Sequence, residues 1–177
     1  MTRLFVALDL PQPVSDSLAA MQMSLPGARW VEPENFHLTL AFLGDVPPAR
    51  QADLDEALGD ARGGMFNLAL NTLDLFSHGG LPHTLWAGAE KVQPLMDLQR
   101  SVERSLARSG FVFERRKFRP HVTLAYLRDM PPDTIVSYIV GHSPIRIGPF
   151  RVDGFRLFSS WPGENGRDYQ VEADYFV

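Results

Sequence analysis

The sequence predicts an α+β fold: two pseudo-twofold-related lobes of mostly antiparallel sheet, with outer helices around a central cleft. Strand-like and helix-like stretches are mixed without regular βαβ alternation, which argues against a doubly wound parallel sheet. Residues 37–48 recur at 121–132 with eight of the twelve positions identical, so each lobe would run strand, turn, Pro-Pro, helix. The 177 residues, 45% hydrophobic, are close to the usual size of one domain. No low-complexity linker separates the repeats, so we expect one domain over 1–177 whose lobes share a core.

The elements of the first lobe follow from local patterns. An apolar stretch over residues 3–10 predicts a strand. Residues 11–25 predict a helix, because apolar side chains from Val14 to Leu25 recur at the spacing of one helical face. The first repeat then supplies a strand, and its Pro-Pro pair opens a helix.

The second lobe begins with a predicted hairpin. Residues 65–76 alternate in part, and residues 84–87 form a second candidate strand after a Gly-rich loop. Helical spacing of apolar residues from Val92 to Leu106 predicts a third helix. The second repeat adds a strand and a short helix, and strand-like stretches fill 145–176.

Composition and charge exclude several classes of protein. The absence of Cys rules out disulfides, thiolate metal sites and cysteine nucleophiles, and it fits the cytoplasm. The apolar run at residues 4–8 is too short for a signal-peptide core or a membrane span. A net charge of -4 argues against a protein that coats long nucleic acids, but it allows a small anionic ligand where basic residues gather. We expect a cytoplasmic monomer that binds no membrane.

Each repeat begins with His-x-Thr, and this pattern is the main functional signal. Five His and six Thr predict roughly 0.2 such triplets by chance in the whole chain. Because alternate side chains of a strand face the same way, His37, Thr39 and Ala41 should share one face, as should His121, Thr123 and Ala125 in the second copy. If the lobes pair about a twofold axis, two imidazoles and two hydroxyls meet at one point.

That combination of groups suits in-line displacement at phosphorus. The reaction needs a base on the attacking side, an acid on the leaving side and donors for the charged equatorial oxygens. An unperturbed His pKa near 6.5 allows one neutral and one protonated imidazole near neutral pH. Water can then open a cyclic phosphodiester without a metal.

A purely structural explanation of the repeat is the main alternative. A His on a strand is often only a satisfied core or surface residue, and duplicated strands can record gene duplication alone. Duplication accounts for the repeated apolar positions. It does not account for His and Thr on a face that an apolar core would exclude.

The remaining chemistry-bearing residues give weaker signals. His78, His83 and His142 are expected at the surface, and none has a metal-ligand spacing with another ligand on one helix. No metal site, cofactor site or phosphate-binding Gly loop is predicted.

The aromatic residues of the repeats, Phe42 and Tyr126, are interpreted as core residues. An aromatic at the cleft rim could stack on a base, and Trp30, Phe118 and Trp161 are the candidates.

With these motifs placed, the chain closely resembles the two-histidine (2H) phosphoesterase superfamily. More narrowly it resembles the RNA 2′,3′-cyclic phosphodiesterases, also called 2′-5′ RNA ligases. The resemblance covers nearly the whole chain, through "RLFVALDLP", "RWVEPENFHLTLAFLG", "LPHTLWAG" and "FRPHVTLAYL". It implies a bilobal fold, metal-independent hydrolysis of a 2′,3′-cyclic phosphate at an RNA end to a 2′-phosphate, and reversible 2′-5′ joining of RNA ends as a secondary activity.

The resemblance also implies residue roles. His37 and Thr39 match the first family motif, and His121 and Thr123 match the second. By this resemblance His37 is the acid for the 3′ oxygen, and His121 is the base that activates water.

The chain departs from many relatives at Ala41 and Tyr126, where a Lys and an Arg are common. The basic residue that binds phosphate or backbone is therefore expected to be Arg119 or Arg115, in the basic cluster before the second motif, or Arg128, directly after that motif.

Two other functions compete with RNA-end hydrolysis. One is a 2H phosphodiesterase that acts on a small cyclic nucleotide or a 2′-5′ oligonucleotide. The other is a non-catalytic module that binds RNA ends, in which the imidazoles only donate hydrogen bonds. Comparing the turnover of a mononucleotide with that of an RNA distinguishes the first alternative from RNA-end hydrolysis. Product formation by purified protein would exclude the second.

Overall fold

The computed structural model describes residues 1–23, 25–114, 117–163 and 166–177, and its strands form one antiparallel sheet of nine strands. The strands are β1 (Thr2–Asp9), β2 (Ala28–Trp30), β3 (His37–Val46), β4 (Phe66–His78), β5 (Leu81–Ala89), β6 (His121–Leu127), β7 (Ile147–Val152), β8 (Gly154–Gly163) and β9 (Gly166–Phe176). The α-helices among the described residues are α1 (Gln12–Ala19), α2 (Gln51–Gly59), α3 (Gln93–Arg108) and α4 (Pro132–His142). The predicted α+β fold with antiparallel pairing is confirmed.

The two repeat strands lie side by side in the middle of this sheet. The strand order is β7-β4-β5-β6-β3-β1-β8-β9, with β2 added to β6. Strands β3 and β6 run antiparallel and share a single registered pair, Leu38 opposite Val122, whose side chains are fully buried. The two lobes are therefore halves of one sheet, and their His-x-Thr segments start next to the seam between the halves.

The helices bury apolar stripes of the kind that the sequence predicts. In α3 the side chains of Leu95, Leu98, Val102 and Leu106 are all fully buried, and the helix contacts α2 and β3. Burying each such side chain contributes on the order of 2 kcal/mol. Within the described residues, no helix has the length and hydropathy needed to cross a membrane.

Helix α1 is shorter than predicted, because it ends at Ala19 and not near Leu25. The backbone after it bonds to side chains from other elements. The Tyr138 hydroxyl donates to the Met21 carbonyl at 2.7 Å, and Trp30 Nε1 donates to the Met23 carbonyl at 3.1 Å. These tertiary bonds use carbonyls that a longer helix would have used.

Both repeat strands contain a β-bulge at the same place. Thr39 and Ala41 of β3 pair with two successive residues of β1, and Thr123 and Ala125 of β6 pair with two successive residues of β5. In each strand the leucine between these two residues is the extra residue. The side chains that come directly after it therefore face the opposite side of the sheet from the one that strict alternation predicts.

The bulges overturn two expectations about the repeat. Ala41 and Ala125 were predicted to share the histidine face, but they are buried in the core, 5% and 0% exposed. Phe42 and Tyr126 were predicted to be core residues, but they are 37% and 42% exposed and lie on the histidine face. Strict strand alternation is therefore wrong from the fifth residue of each repeat onward.

Candidate active site

A cleft of about 310 Å³ opens over the sheet where the repeat strands meet. Its lining includes His37, Thr39, His121 and Thr123, and all four side chains are half-buried. The structure thus brings together the four residues that the repeat singles out.

The two imidazoles are held by the same kind of hydrogen bond, from Nδ1 to a backbone carbonyl two residues earlier. His37 Nδ1 lies 2.7 Å from the carbonyl oxygen of Asn35, and His121 Nδ1 lies 2.6 Å from that of Arg119. A carbonyl can only accept, so both Nδ1 atoms carry a hydrogen and donate it. In each neutral ring the lone pair is then on Nε2, and each ring can accept or deliver a proton only at that nitrogen. The repeat therefore sets both the orientation and the tautomer of its histidine.

The surroundings of the two rings differ although the motifs match. The His37 ring packs against Phe5 at 4.8 Å and edge-on against Tyr169 at 5.0 Å between centroids. The His121 ring packs against Phe76 at 5.0 Å and Trp86 at 5.7 Å. Different flanking strands supply these aromatic side chains, so one repeated sequence produces two chemically distinct histidines.

Burial gives His37 an unusual proton affinity. The pKa of His37 lies at about 4 in place of the ordinary 6.5, chiefly because of burial and to a smaller extent because of the nearby His121. The hydrogen bond to Asn35 acts in the opposite direction but is outweighed. His37 is therefore neutral in the free protein near pH 7.

Two arginines that the sequence did not single out also line the cleft, Arg3 and Arg167. The Arg3 Nε is buried and has no hydrogen-bond partner among the described residues, and its nearest carboxylate oxygen, on Asp45, is 3.7 Å away. A buried donor without a partner favours a ligand that accepts. Alternation along β1 places Arg3 on the same face as Phe5, which packs on His37.

Asn35 connects the first histidine to the far end of the sheet. Its carbonyl accepts from His37, and its side-chain Nδ2 donates to the Arg167 carbonyl at 3.0 Å. This bond fixes the start of β9 beside the turn that precedes β3. Arg167 and Tyr169 are thereby held at the cleft, although neither belongs to a recognisable motif.

The predicted basic residues lie in different places. Arg119 is exposed and lines a small adjoining depression together with Thr39 and Phe42, outside the main cleft. Arg128 is exposed past the end of β6 and lines none of the described clefts near the histidines. Arg115 lies outside the described residues. Tyr126 itself lines the cleft.

The other candidates lie away from the two histidines of the cleft or contact them indirectly. His78 and His83 are exposed near the β4–β5 turn, and His142 is half-buried and stacks on Tyr138. In the described part of the chain, no three His, Cys, Asp or Glu side chains cluster in a way that could hold a metal ion. Trp30, Phe118 and Trp161 do not line the main cleft, although Phe118 lines the depression beside Arg119 and Trp30 lines a second depression that adjoins the cleft.

The family model described as LigT like Phosphoesterase matches the chain twice, at residues 8–86 and 88–166. Each match contains one copy of the repeat and therefore one histidine of the cleft. The chain belongs to the LigT-like phosphoesterase family. The resemblance inferred from the motifs is confirmed.

Individual relatives agree with this assignment. The RNA 2′,3′-cyclic phosphodiesterase of Geobacillus stearothermophilus is 37% identical over 68% of this chain and 40% of that protein. The protein of the same name from Thermotoga maritima is 30% identical over 96% of this chain and 92% of its own. A crystal structure of E. coli LigT complexed with 3′-AMP superposes with a TM-score of 0.80 at 25% identity, covering 99% and 98% of the two chains. This LigT-like chain thus shares its fold and family across nearly its whole length.

Proposed function

We propose that the protein hydrolyses the 2′,3′-cyclic phosphate at RNA ends to a 2′-phosphate, by acid–base catalysis between His37 and His121. The observation that carries the proposal is the pair of imidazoles, each fixed through Nδ1 to a carbonyl so that Nε2 is the working nitrogen in one cleft. The names of the Geobacillus and Thermotoga relatives support the RNA cyclic phosphate as substrate. The 3′-AMP complex of E. coli LigT supports a nucleotide ligand.

The reaction adds one water across a P–O bond. The neutral imidazole of His121 takes a proton from water as the water oxygen bonds to phosphorus. The P–O3′ bond breaks, and protonated His37 gives its Nε2 proton to the departing O3′. The phosphate stays on the 2′ oxygen, and solvent restores both imidazoles to their starting states.

His37 can act as the acid only in the complex. Its pKa of about 4 leaves it neutral in the free protein, because burial disfavours the imidazolium. A cyclic phosphodiester brings a negative charge into the same cleft, and an adjacent opposite charge favours the protonated ring. Substrate binding is therefore coupled to proton uptake, and the proton taken up is the one that the leaving group receives.

The remaining cleft residues bind the phosphate. The Thr39 and Thr123 hydroxyls lie one alternation beyond the histidines, on the same face and before the bulges, where they can donate to the non-bridging oxygens. Arg3 adds a guanidinium whose Nε lacks a partner among the described residues. These groups stabilise charge on the phosphorus oxygens while the two imidazoles move protons.

The experiment is to incubate purified protein with an RNA that ends in a 2′,3′-cyclic phosphate and to identify the product. A 2′-phosphate end is expected. Mostly 3′-phosphate would reverse the orientation in which His37 faces O3′, and binding without any product would make the protein an RNA-end binding module. A parallel assay with a mononucleoside 2′,3′-cyclic phosphate measures whether RNA or a small nucleotide is the better substrate.

A further inference from the structure

One end of the cleft continues into a second depression of about 130 Å³, which we call the arginine shelf. Its lining includes Arg29, Tyr126 and Arg167. The shelf shares five lining residues with the cleft, so the two are continuous. The depression at the other flank, beside Arg119, is about 70 Å³ and shares only Thr39 and Phe42 with the cleft. A ligand longer than one nucleotide therefore has more room at the shelf.

The position of the shelf is a consequence of the second β-bulge. Arg29 lies directly opposite Tyr126 in the β2–β6 pairing. Because the bulge places Tyr126 on the histidine face, Arg29 comes to that face as well, with its guanidinium carbon 4.8 Å from the centre of the Tyr126 ring. Neither residue would be near the cleft if β6 alternated regularly.

The guanidinium of Arg29, a residue of β2, reaches the start of β9. It packs against Gly166 so closely that a Cβ at this position would collide with it. Gly166 has φ +140, a conformation that other residues rarely adopt, and the next residue along β9 is Arg167. The glycine thus leaves room for the Arg29 guanidinium at the start of β9, one residue before Arg167.

Both positive charges act on one point of the shelf. Burial raises the pKa of Tyr169 to about 12 and Tyr126 adds to this, while Arg167 and Arg29 act in the opposite direction. Arg167 and Tyr169, alternate residues of β9, line both the cleft and the shelf. Two exposed acidic residues, Glu32 and Asp168, also line the shelf, and the Asp168 carboxylate lies against Gly163.

We propose that the arginine shelf binds the internucleotide phosphate immediately 5′ of the terminal nucleotide, and so makes the enzyme prefer an RNA end to a mononucleotide. The proposal rests on the proposed function. A chain that ends in a 2′,3′-cyclic phosphate continues in one direction only, through its 5′ side, and the continuous extension of the cleft is the shelf. Guanidinium groups match phosphate in charge and hydrogen-bond geometry.

The test compares three substrates: adenosine 2′,3′-cyclic phosphate, a diadenosine with the same end, and the same dinucleotide with a neutral methylphosphonate linkage. We expect the wild-type protein to prefer the charged dinucleotide over the methylphosphonate by roughly tenfold in kcat/KM, as for one lost charge-assisted hydrogen bond. Arg29→Gln should remove most of this preference, and Arg29→Lys, which keeps the charge, should retain part of it. Arg100→Gln on the outer helix α3 is the matched control and should discriminate like wild type.

Equal kcat/KM for the charged and neutral linkages in wild type would overturn the shelf proposal, as would full discrimination by Arg29→Gln. A binding measurement keeps this separate from the proposed function. The affinity for a diadenosine carrying a terminal 2′-phosphate, measured by calorimetry, should fall roughly tenfold in Arg29→Gln and in the methylphosphonate analogue. If wild type hydrolyses none of the three substrates, the proposed function fails, and this binding difference still decides the shelf.

Discussion

Acidification between pH 6.5 and pH 4 should destabilise the folded protein through His37. The unfolded chain binds a proton at this residue below its ordinary pKa of 6.5, whereas the folded protein binds it only below about 4. In that interval the unfolded state holds the extra proton, so the free energy of unfolding falls as the pH falls. Above pH 6.5 the contribution is fully present, and below pH 4 the loss is complete.

The size of the effect follows from the two pKa values. A difference of about 2.5 between them corresponds to about 3 kcal/mol, and at pH 4.5 most of that loss has occurred. Because the His37 ring is only half-buried by its accessible surface, this figure is an upper limit. Other groups also respond to acid, so the informative quantity is the difference between wild type and a variant without the imidazole.

Urea unfolding at pH 7.5 and pH 4.5, followed by circular dichroism, measures this difference. Wild type should lose up to about 2.5 kcal/mol more than His37→Gln over this interval. His78→Gln, which removes an exposed histidine from the β4–β5 hairpin, is the control and should follow wild type. Identical pH dependence in wild type and His37→Gln would refute the claim that burial depresses the proton affinity of His37.

Three further predictions concern the reaction. Thr39→Val and Thr123→Val should each fold normally and lose about 1 to 3 kcal/mol of transition-state stabilisation in kcat/KM, since each removes a donor to a charged oxygen. Wild-type turnover in both variants would mean that the threonines have only a structural role. Activity should persist in excess chelator, because the two imidazoles supply both proton transfers, and loss with EDTA followed by rescue with a divalent ion would contradict this. The pH profile of kcat/KM should contain a limb near pH 4, the pKa of His37 in the free protein, and this limb should be absent in His37→Gln; a limb near pH 4 that persists in the variant would contradict the assignment.

The sequence was sufficient for the fold class and for bringing the two His-x-Thr motifs to one cleft. Both follow from a repeat whose polar positions lie at the start of a strand, where alternation is still regular. The expectation failed two residues further on, because the inserted leucine in each copy reverses the facing of Phe42 and Tyr126. Leu, Ala, Phe and Tyr are all apolar enough for either face, so the hydrophobic pattern contains no sign of the bulge.

The residues that complete the cleft were missed for a different reason. Arg3 comes from β1, which pairs with β3, and Arg167 and Tyr169 come from the edge strand β9; nothing in the local sequence indicates which of them reach the centre. The prediction instead favoured basic residues next to the second motif, of which Arg119 lines only the adjoining depression. The one usable signal was an arginine at the start of the otherwise apolar strand β1, where Arg3 alternates onto the same face as Phe5.

The central claim is that the two copies of the His-x-Thr motif, on two strands, form a single active site. It is tested by kcat/KM for wild type, His37→Ala, His121→Ala and the double variant, with folding checked by circular dichroism. If the two imidazoles are the acid and base of one displacement, each single variant should lose roughly 100-fold to 10,000-fold. The double variant should lose much less than the product of the two, because groups that act as a unit are not additive. Near-half activity in each single variant would contradict the account, since it would mean two independent sites.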